Sequence, residues 1–204
     1  MNSLFQLIAR HRVLASTLFL AIFPFIMPYE ALAINILIFG LFAMGFNLLF
    51  GYMGLLSFGH AAFLGIGSYL TGISIVHYGM PWGAAILVGI IGAAIGGLIM
   101  GYLAIRTRGI YFSMVTLALG QIIYYIFYKA ESLTGGENGL RGVRVDQFNI
   151  FGIPVDFLNP LTKYYIILFF VVLAIWLISR ILSSPLGAVM EAIRENEKRA
   201  AACG

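Results

Sequence analysis

Five polar residues in or beside the apolar runs of this chain carry side chains able to bind a solute. Their hydroxyl, amide and imidazole groups stand in or beside long hydrophobic runs: Ser57, His60, Ser113, Thr116 and Gln121. Such groups can hydrogen-bond a neutral or zwitterionic solute, and we predict that they line a solute path. Hydrogen bonding between helices explains them about as well. Proton pumps and ion channels usually place full charges at depth, so the near absence of such charges disfavours a proton-coupled carrier.

Catalysis and metal binding are not expected. His60 and His77 have no carboxylate or cysteine near them at metal-ligand spacing, and the single cysteine, Cys203, excludes an internal disulfide or a multi-cysteine zinc site. No phosphate-binding G-x-x-x-x-G-K-[ST] loop occurs. The basic residues stand between apolar runs, whereas nucleic-acid binders cluster them on one face. We therefore expect no enzyme, no catalytic residue, no cofactor and no nucleic-acid partner.

The elements that must position these residues are apolar runs. Of the 204 residues, 61% are hydrophobic and only 10% are charged, whereas a soluble domain carries about 25% charged residues. A helix needs about 20 apolar residues to cross a bilayer. The sequence predicts an all-α, polytopic membrane helix bundle over residues 1–182, with about six transmembrane helices. The predicted spans are Val13–Met27, Leu32–Phe50, Ala61–His77, Trp82–Ile105, Ile110–Tyr128 and Tyr164–Leu182, and the first and third are short.

The first run has a second interpretation. Arg10 and Arg12 precede it, and Ala31-Leu32-Ala33 resembles a signal-peptidase site. Because a second apolar run follows at once, a membrane span is the better interpretation.

Basic residues predict the orientation. With the N-terminus in the cytoplasm, eight Lys and Arg residues fall on the inner side and four on the outer side. All four outer ones lie in or beside one long loop, 129–163, and the positive-inside rule applies to the short loops. Both termini are therefore predicted to be cytoplasmic. The loop is either a cap over helix ends or a contact for a partner, with a turn at Thr134–Gly139 and a hairpin around Pro154 in Phe148–Phe157.

The stretch GYMGLLSFGHAAFLGIGSYLTG, residues 51–72, contains six glycines. Glycine in a span lets helices pack closely, which is one interpretation. The other is a broken or re-entrant segment beside a solute path, because irregular backbone in a membrane must be buried in protein or face a cavity. The short third run, with Ser57 and His60 before it, favours the second interpretation for residues 51–60.

The tail, residues 183–204, differs from everything before it. After Pro185 and Gly187, a charged run, Ala188–Ala202, favours a helix on which Glu191 can pair with Arg194 and Glu195 with Lys198. The pattern alone fits a solvated amphipathic helix at the membrane surface.

Four segments resemble those of one protein family, in matching order. They are GYMGLLSFGHAAF, RTRGIYFSMVTLALGQII, TGGENGL and SPLGAVMEAIRENEKRAAACG. The chain resembles the permease subunits of bacterial branched-chain amino acid ABC transporters, in particular the paralogue with the longer outer loop. The resemblance implies a bacterial inner-membrane subunit that moves branched-chain or hydrophobic amino acids. Its implied partners are a paralogous permease, two ATP-binding subunits, an extracytoplasmic solute-binding protein and the lipid bilayer.

The resemblance also assigns the tail to ATPase coupling. The matching residues are Gly187, Ala192, Ile193, Arg194, Glu195, Asn196, Glu197, Ala200 and Gly204. Since family members usually continue with further spans, the resemblance implies a chain truncated at its C-terminus. Two alternatives stay open: an ABC permease for urea or short amides, and a passive channel for small neutral solutes. A channel has no need of the A-I-R-E-N-E tail.

Overall fold

The computed structural model describes residues 12–27, 29–143, 148–150, 153–155 and 159–202. A π-helical turn, Leu48–Tyr52, continues the second helix, and a 3-10 turn, Gly136–Asn138, follows the sixth. The strands β1 (Phe148–Ile150) and β2 (Ile153–Val155) pair antiparallel. The α-helices are α1 (Arg12–Ile26), α2 (Glu30–Asn47), α3 (Ala61–Val76), α4 (Trp82–Ala104), α5 (Ile110–Lys129), α6 (Glu131–Thr134), α7 (Pro160–Leu182) and α8 (Pro185–Ala202).

The predicted polytopic helix bundle is confirmed. Within the described residues, four helical stretches are long and apolar enough to cross a membrane: Glu30–Tyr52, Trp82–Ala104, Ile110–Lys129 and Pro160–Leu182. The two runs that were short in the sequence form the two shorter helices, α1 with 15 residues and α3 with 16. Large apolar side chains on these helices are widely exposed; Leu98 is 74% and Phe169 65% accessible. Such surfaces suit lipid or partner helices rather than water.

One compact unit comprises the described residues of 1–47 and 147–204. Its core joins α2 to α7 through Ala33, Leu37, Tyr164 and Leu168. The Tyr164 hydroxyl is buried with its ring and donates to the carbonyl of Leu20 at 2.6 Å, which ties α7 to α1. A buried hydroxyl without a partner would cost free energy, so this bond lets a tyrosine occupy the core.

The predicted hairpin is present. In the described part of residues 148–157, Phe148 faces Val155, and Ile150 faces Ile153. Pro154 lies within the second strand, opposite Asn149, rather than at the turn. Residues 151–152 and 156–157 lie outside the described residues.

The second unit, Leu48–Asp146, contains α3, α4 and α5. Glycines bring α3 and α4 together: a Cβ on Gly89 would lie 2.7 Å from the carbonyl oxygen of Gly67 and would overlap the hydroxyl of Thr71. Ile66 and Leu70 of α3 cover Gly96 and Gly92 in the same way. These glycines of α4 therefore allow α3 and α4 to pack closely.

We expect Gly89→Ala to lower the free energy of unfolding by about 1–3 kcal/mol, because the added methyl group would crowd the carbonyl oxygen of Gly67 as well as the Thr71 hydroxyl, and that carbonyl cannot move without displacing α3. Gly101→Ala, in the same helix, is the matched control, since nothing lies within 4 Å of its added Cβ. Unfolding of both variants in mixed detergent micelles measures the difference. Equal midpoints would contradict the close approach of α3 and α4.

Candidate solute path and coupling segment

The glycine-rich segment leaves helical geometry between Gly54 and His60 and packs against α5. Gly54 turns the chain with a φ of 71°. Gly59 is buried, and a Cβ on it would overlap the carbonyl oxygen of Thr116. A Cβ on Gly120 would lie 3.1 Å from the Cα of Gly59. The backbone of the segment thus lies directly on the backbone of α5.

Two hydroxyls of α5 satisfy this irregular backbone. Ser113 donates to the carbonyl of Leu56 at 2.7 Å, and Thr116 accepts the N–H of Phe58 at 3.2 Å while donating to the carbonyl of Ser113 at 2.9 Å. Both side chains are about 5% exposed. Each bond contributes about 1 kcal/mol, whereas an unsatisfied buried group would cost about 1–3 kcal/mol. The hydroxyls therefore permit non-helical backbone where water is excluded.

A broken segment is present within the predicted range 51–60, over residues 54–60, whereas residues 51–53 are still helical. Its position explains the short third helix. Thr116 stands six residues after the start of α5, about 9 Å along its axis. The segment before α3 lies beside Thr116, about 9 Å from the start of α5. Since α3 begins only after this point, it needs fewer residues than α5.

The structure does not bring all five predicted path residues to one place. Ser57 is buried beside the Ser113 and Thr116 cluster, where the latter two hydroxyls hold backbone. The ring of His60 lies edge-on to Phe63 with centroids 5.4 Å apart. Gln121 is exposed and lines a cavity between α3, α5 and the loop that follows α5. Their role in a solute path stays a prediction.

This cavity has a volume of about 430 Å³. One stripe of α5 forms a wall, because its lining residues recur three or four positions apart, the spacing of one helical face. The opposite walls come from α3 and from the turn after α6. Sequence reasoning missed several lining residues: Tyr69, Phe127, Gly136, Glu137 and Gly139. The three-to-four spacing of Leu117, Gly120, Gln121, Tyr124 and Tyr128 was the signal that could have found the α5 wall.

The turn that closes the cavity is the predicted Thr134–Gly139 turn, and it is held tightly. Thr134 is 1% exposed, and its hydroxyl lies 2.9 Å from the carbonyl oxygen of Ala130 and accepts the N–H of Gly136 at 3.2 Å. Gly135 has a φ of 77°, and a Cβ there would lie 2.8 Å from the carbonyl carbon of Gly139. Only glycine fits this left-handed, crowded position.

The tail begins with a tight junction. The Ser184 hydroxyl donates to the carbonyl of Ile181 at 2.6 Å and accepts the N–H of Leu186 at 3.3 Å, and Pro185 opens α8. A serine cap followed by proline is a strong helix start. Gly187 is buried, and a Cβ on it would overlap the carbonyl oxygen of Leu182 and lie 2.7 Å from its carbonyl carbon. The charged helix is thereby anchored directly to the end of the apolar α7.

The helix of the tail is broken at Asn196, which has φ −162° and ψ 102°. Its side-chain oxygen accepts the N–H of Arg199 at 3.1 Å, the geometry of an N-cap for a second helical piece. Non-helical backbone at Asn196 lies between Glu195 and Lys198, so the helical spacing on which their pairing was predicted is interrupted. The side chain of Lys198 lies outside the described residues. Ala192–Glu195 precede the break and Ala200 follows it. The side chain of Glu197, and Gly204 altogether, lie outside the described residues.

Comparison with known sequences identifies the family. The sequence model described as branched-chain amino acid transport system / permease component matches residues 29–204. The chain belongs to this permease family. The matched range includes the glycine-rich segment, the residues that line the cavity and the tail, and so contains all four sequence segments noted above.

Two curated relatives of this permease-family chain carry the same description, High-affinity branched-chain amino acid transport system permease protein LivM. The one from Salmonella typhimurium (strain LT2) is 33% identical over 181 residues, which cover 79% of this chain and 42% of the relative. The one from Escherichia coli (strain K12) is 30% identical over 180 residues, with the same coverage. The chain thus spans less than half the length of these relatives. No solved structure matches it.

The family is a class of transport permeases rather than of enzymes, and its membership fits the apolar helices. Within the described residues, no group of three or more His, Cys, Asp or Glu side chains could hold a metal ion.

Proposed function

We propose that the chain is a membrane-spanning part of a bacterial ABC importer that moves branched-chain or other hydrophobic amino acids across the inner membrane. Family membership and the LivM relatives support the transport class and the solute. The proposed partners are a paralogous permease, two ATP-binding subunits and an extracytoplasmic solute-binding protein. Both termini would be cytoplasmic, with residues 1–182 as the transmembrane domain and 183–204 as the coupling segment.

The observation that carries this proposal is the junction between α7 and α8. An apolar helix of 23 residues continues, through only Ser183 and Ser184, into a charged helix clamped by Gly187. A force applied to α8 would therefore reach α7 without being lost in a flexible linker. A passive channel has no use for such an element, whereas a permease driven by a separate ATPase requires one.

The coupling surface we propose is carried by the A-I-R-E-N-E residues and the short helical piece after them. Arg194 and Glu195 are exposed before the break, and Asn196 fixes the direction of the second piece through its bond to Arg199. Ala200 lies on that second piece. Gly204 and Glu197 are included on the resemblance alone.

The proposed solute path follows α5, with Gln121 at its cavity and with Ser57, His60, Ser113 and Thr116 around the broken segment. Ser113 and Thr116 would act by holding the backbone of the segment in place, since their hydroxyls already bond to it.

We expect Glu195→Lys to lower ATP-driven leucine uptake by about tenfold or more in the reconstituted complex, because like charges placed across an interface cost several kcal/mol. Uptake and ATP hydrolysis are measured together in proteoliposomes that contain the solute-binding protein. The expected result is hydrolysis that no longer drives transport.

Glu30→Lys is the control, because it makes the same charge change in the first turn of α2, outside the proposed surface. We expect it to retain most uptake. Full uptake by Glu195→Lys would contradict the coupling role. Leucine flux without ATP would favour a channel, and ATP-driven uptake of urea but not leucine would favour the amide permease.

A further inference from the structure

The cavity beside α5 is lined by aromatic rings in two pairs. Tyr69 stacks on Phe127 with centroids 4.8 Å apart and planes 13° apart, and Tyr124 stacks on Tyr128 at 5.8 Å. The volume of about 430 Å³ lies within the range of about 300–1,000 Å³ of small-molecule sites. The cavity is thus of a size for one small molecule, with ring faces on its walls.

Among the described residues that line this cavity, Glu137 alone carries a formal charge. It belongs to the turn that Thr134 and Gly135 hold in place, so its carboxylate is presented from a fixed backbone. A negative group beside tyrosine rings favours a cation, because aromatic faces attract positive charge and a carboxylate accepts its hydrogen bonds. No basic residue is present in the described lining to attract an anion.

The remaining lining is apolar or amide. Ala61, Ala62, Leu117 and Ile123 offer aliphatic surface, and Gln121 offers an amide that can donate to a carboxylate. A ligand with an ammonium group and a short branched apolar chain would satisfy both the charged and the apolar part of the cavity.

We propose that this cavity is a binding site for primary ammonium groups, with Glu137 as counter-ion and the tyrosine pair as the wall that the ammonium group contacts. This proposal rests on the proposed function for its solute, an amino acid with an aliphatic side chain. The same ammonium chemistry occurs in the headgroup of phosphatidylethanolamine, which a membrane supplies, and the experiment separates the two sources.

The test is calorimetric titration of the full chain in phosphatidylcholine nanodiscs with three probes. L-Leucine carries both charged groups, 3-methylbutylamine lacks the carboxylate, and 4-methylpentanoate lacks the ammonium group. We expect leucine and the amine to bind and the acid to bind at least about tenfold more weakly, because the acid has no cation to offer. Glu137→Gln should weaken leucine and amine binding by about tenfold or more.

The matched control is Glu131→Gln, which removes a carboxylate six positions earlier, outside the cavity lining. It should leave leucine affinity unchanged. Tyr124→Leu replaces the aromatic ring with an aliphatic side chain and should weaken the binding of 3-methylbutylamine, because the ammonium group loses a ring face that attracts it.

Nanodiscs that contain phosphatidylethanolamine complete the test. If leucine does not bind but phosphatidylethanolamine is retained on purification and lost in Glu137→Gln, the site takes the lipid ammonium group and the solute assignment is overturned. If 4-methylpentanoate binds as well as leucine, or if Glu137→Gln changes nothing, the ammonium site itself is overturned. These results are independent of the uptake measured for Glu195→Lys, so the proposed function can stand or fall separately.

Discussion

Replacing Gly59 with alanine is expected to unfold the segment between Gly54 and His60 and to leave little stable protein in the membrane. A methyl group at this position would overlap the carbonyl oxygen of Thr116 and lie 2.9 Å from its carbonyl carbon, and neither atom can move without displacing α5. Overpacking in a core costs about 1–3 kcal/mol, and more where backbone must shift. We expect a loss of at least about 3 kcal/mol, close to the limit that a marginally stable protein tolerates.

Unfolding in mixed micelles and the yield of folded protein measure the effect of Gly59→Ala. Gly65→Ala is the matched control, because it lies in the same glycine-rich stretch and no atom lies within 4 Å of its added Cβ. Inside α3 that change should be neutral or slightly stabilising, since alanine favours helix over glycine. A Gly59→Ala protein as stable as the control would show that the segment does not lie on α5.

Replacing Gly187 with alanine is expected to leave membrane insertion of the chain intact and to impair transport. The added methyl group would meet the backbone of Leu182, so α8 must rotate away from the end of α7. Tyr164 and Leu168 pack in the first half of α7, more than ten residues before Leu182, so the core around them should keep its packing. We therefore expect normal insertion, with ATP-driven uptake lowered by about tenfold or more, as a small misplacement of a coupling element can do.

Two measurements test Gly187→Ala. Uptake in the reconstituted complex reports the functional loss, and the rate of tryptic cleavage at Arg194 and Arg199 reports whether α8 has changed position. Gly40→Ala is the control, because an added Cβ there has no neighbour within 4 Å. Unchanged uptake together with unchanged cleavage would mean that the tight junction has no role in coupling.

Local chemistry determined much of this protein from sequence alone. The apolar runs gave the helix bundle, because a chain with so few charges must satisfy its backbone internally in lipid. The turn at Thr134–Gly139 followed from residues that favour left-handed backbone, and motifs over residues 51–204 gave the family. These features depend on residue type and short spacing, which a sequence displays directly.

The break in the tail helix was not predicted from the sequence. Helix propensity predicted one continuous run across residues 188–202, yet Asn196 interrupts it and caps a second piece. Asparagine competes for backbone hydrogen bonds wherever it stands, so the sequence contained the signal. Whether Asn196 interrupts a helix whose neighbouring residues favour helix depends on local geometry, which helix propensities do not describe.

The roles of the polar residues were decided by the tertiary structure. Ser113 and Thr116 look equally suited to a solute or to a neighbouring helix in the sequence, and the fold brings Leu56 and Phe58 to them across more than fifty residues. Likewise, Glu137 and Tyr69 are far apart in the chain, and only packing places them in one cavity. The sequence by itself determined which segments are helical and apolar, because those properties are local. Which backbone each hydroxyl satisfies and which side chains share a cavity depend on long-range packing, which spacing along a chain does not encode.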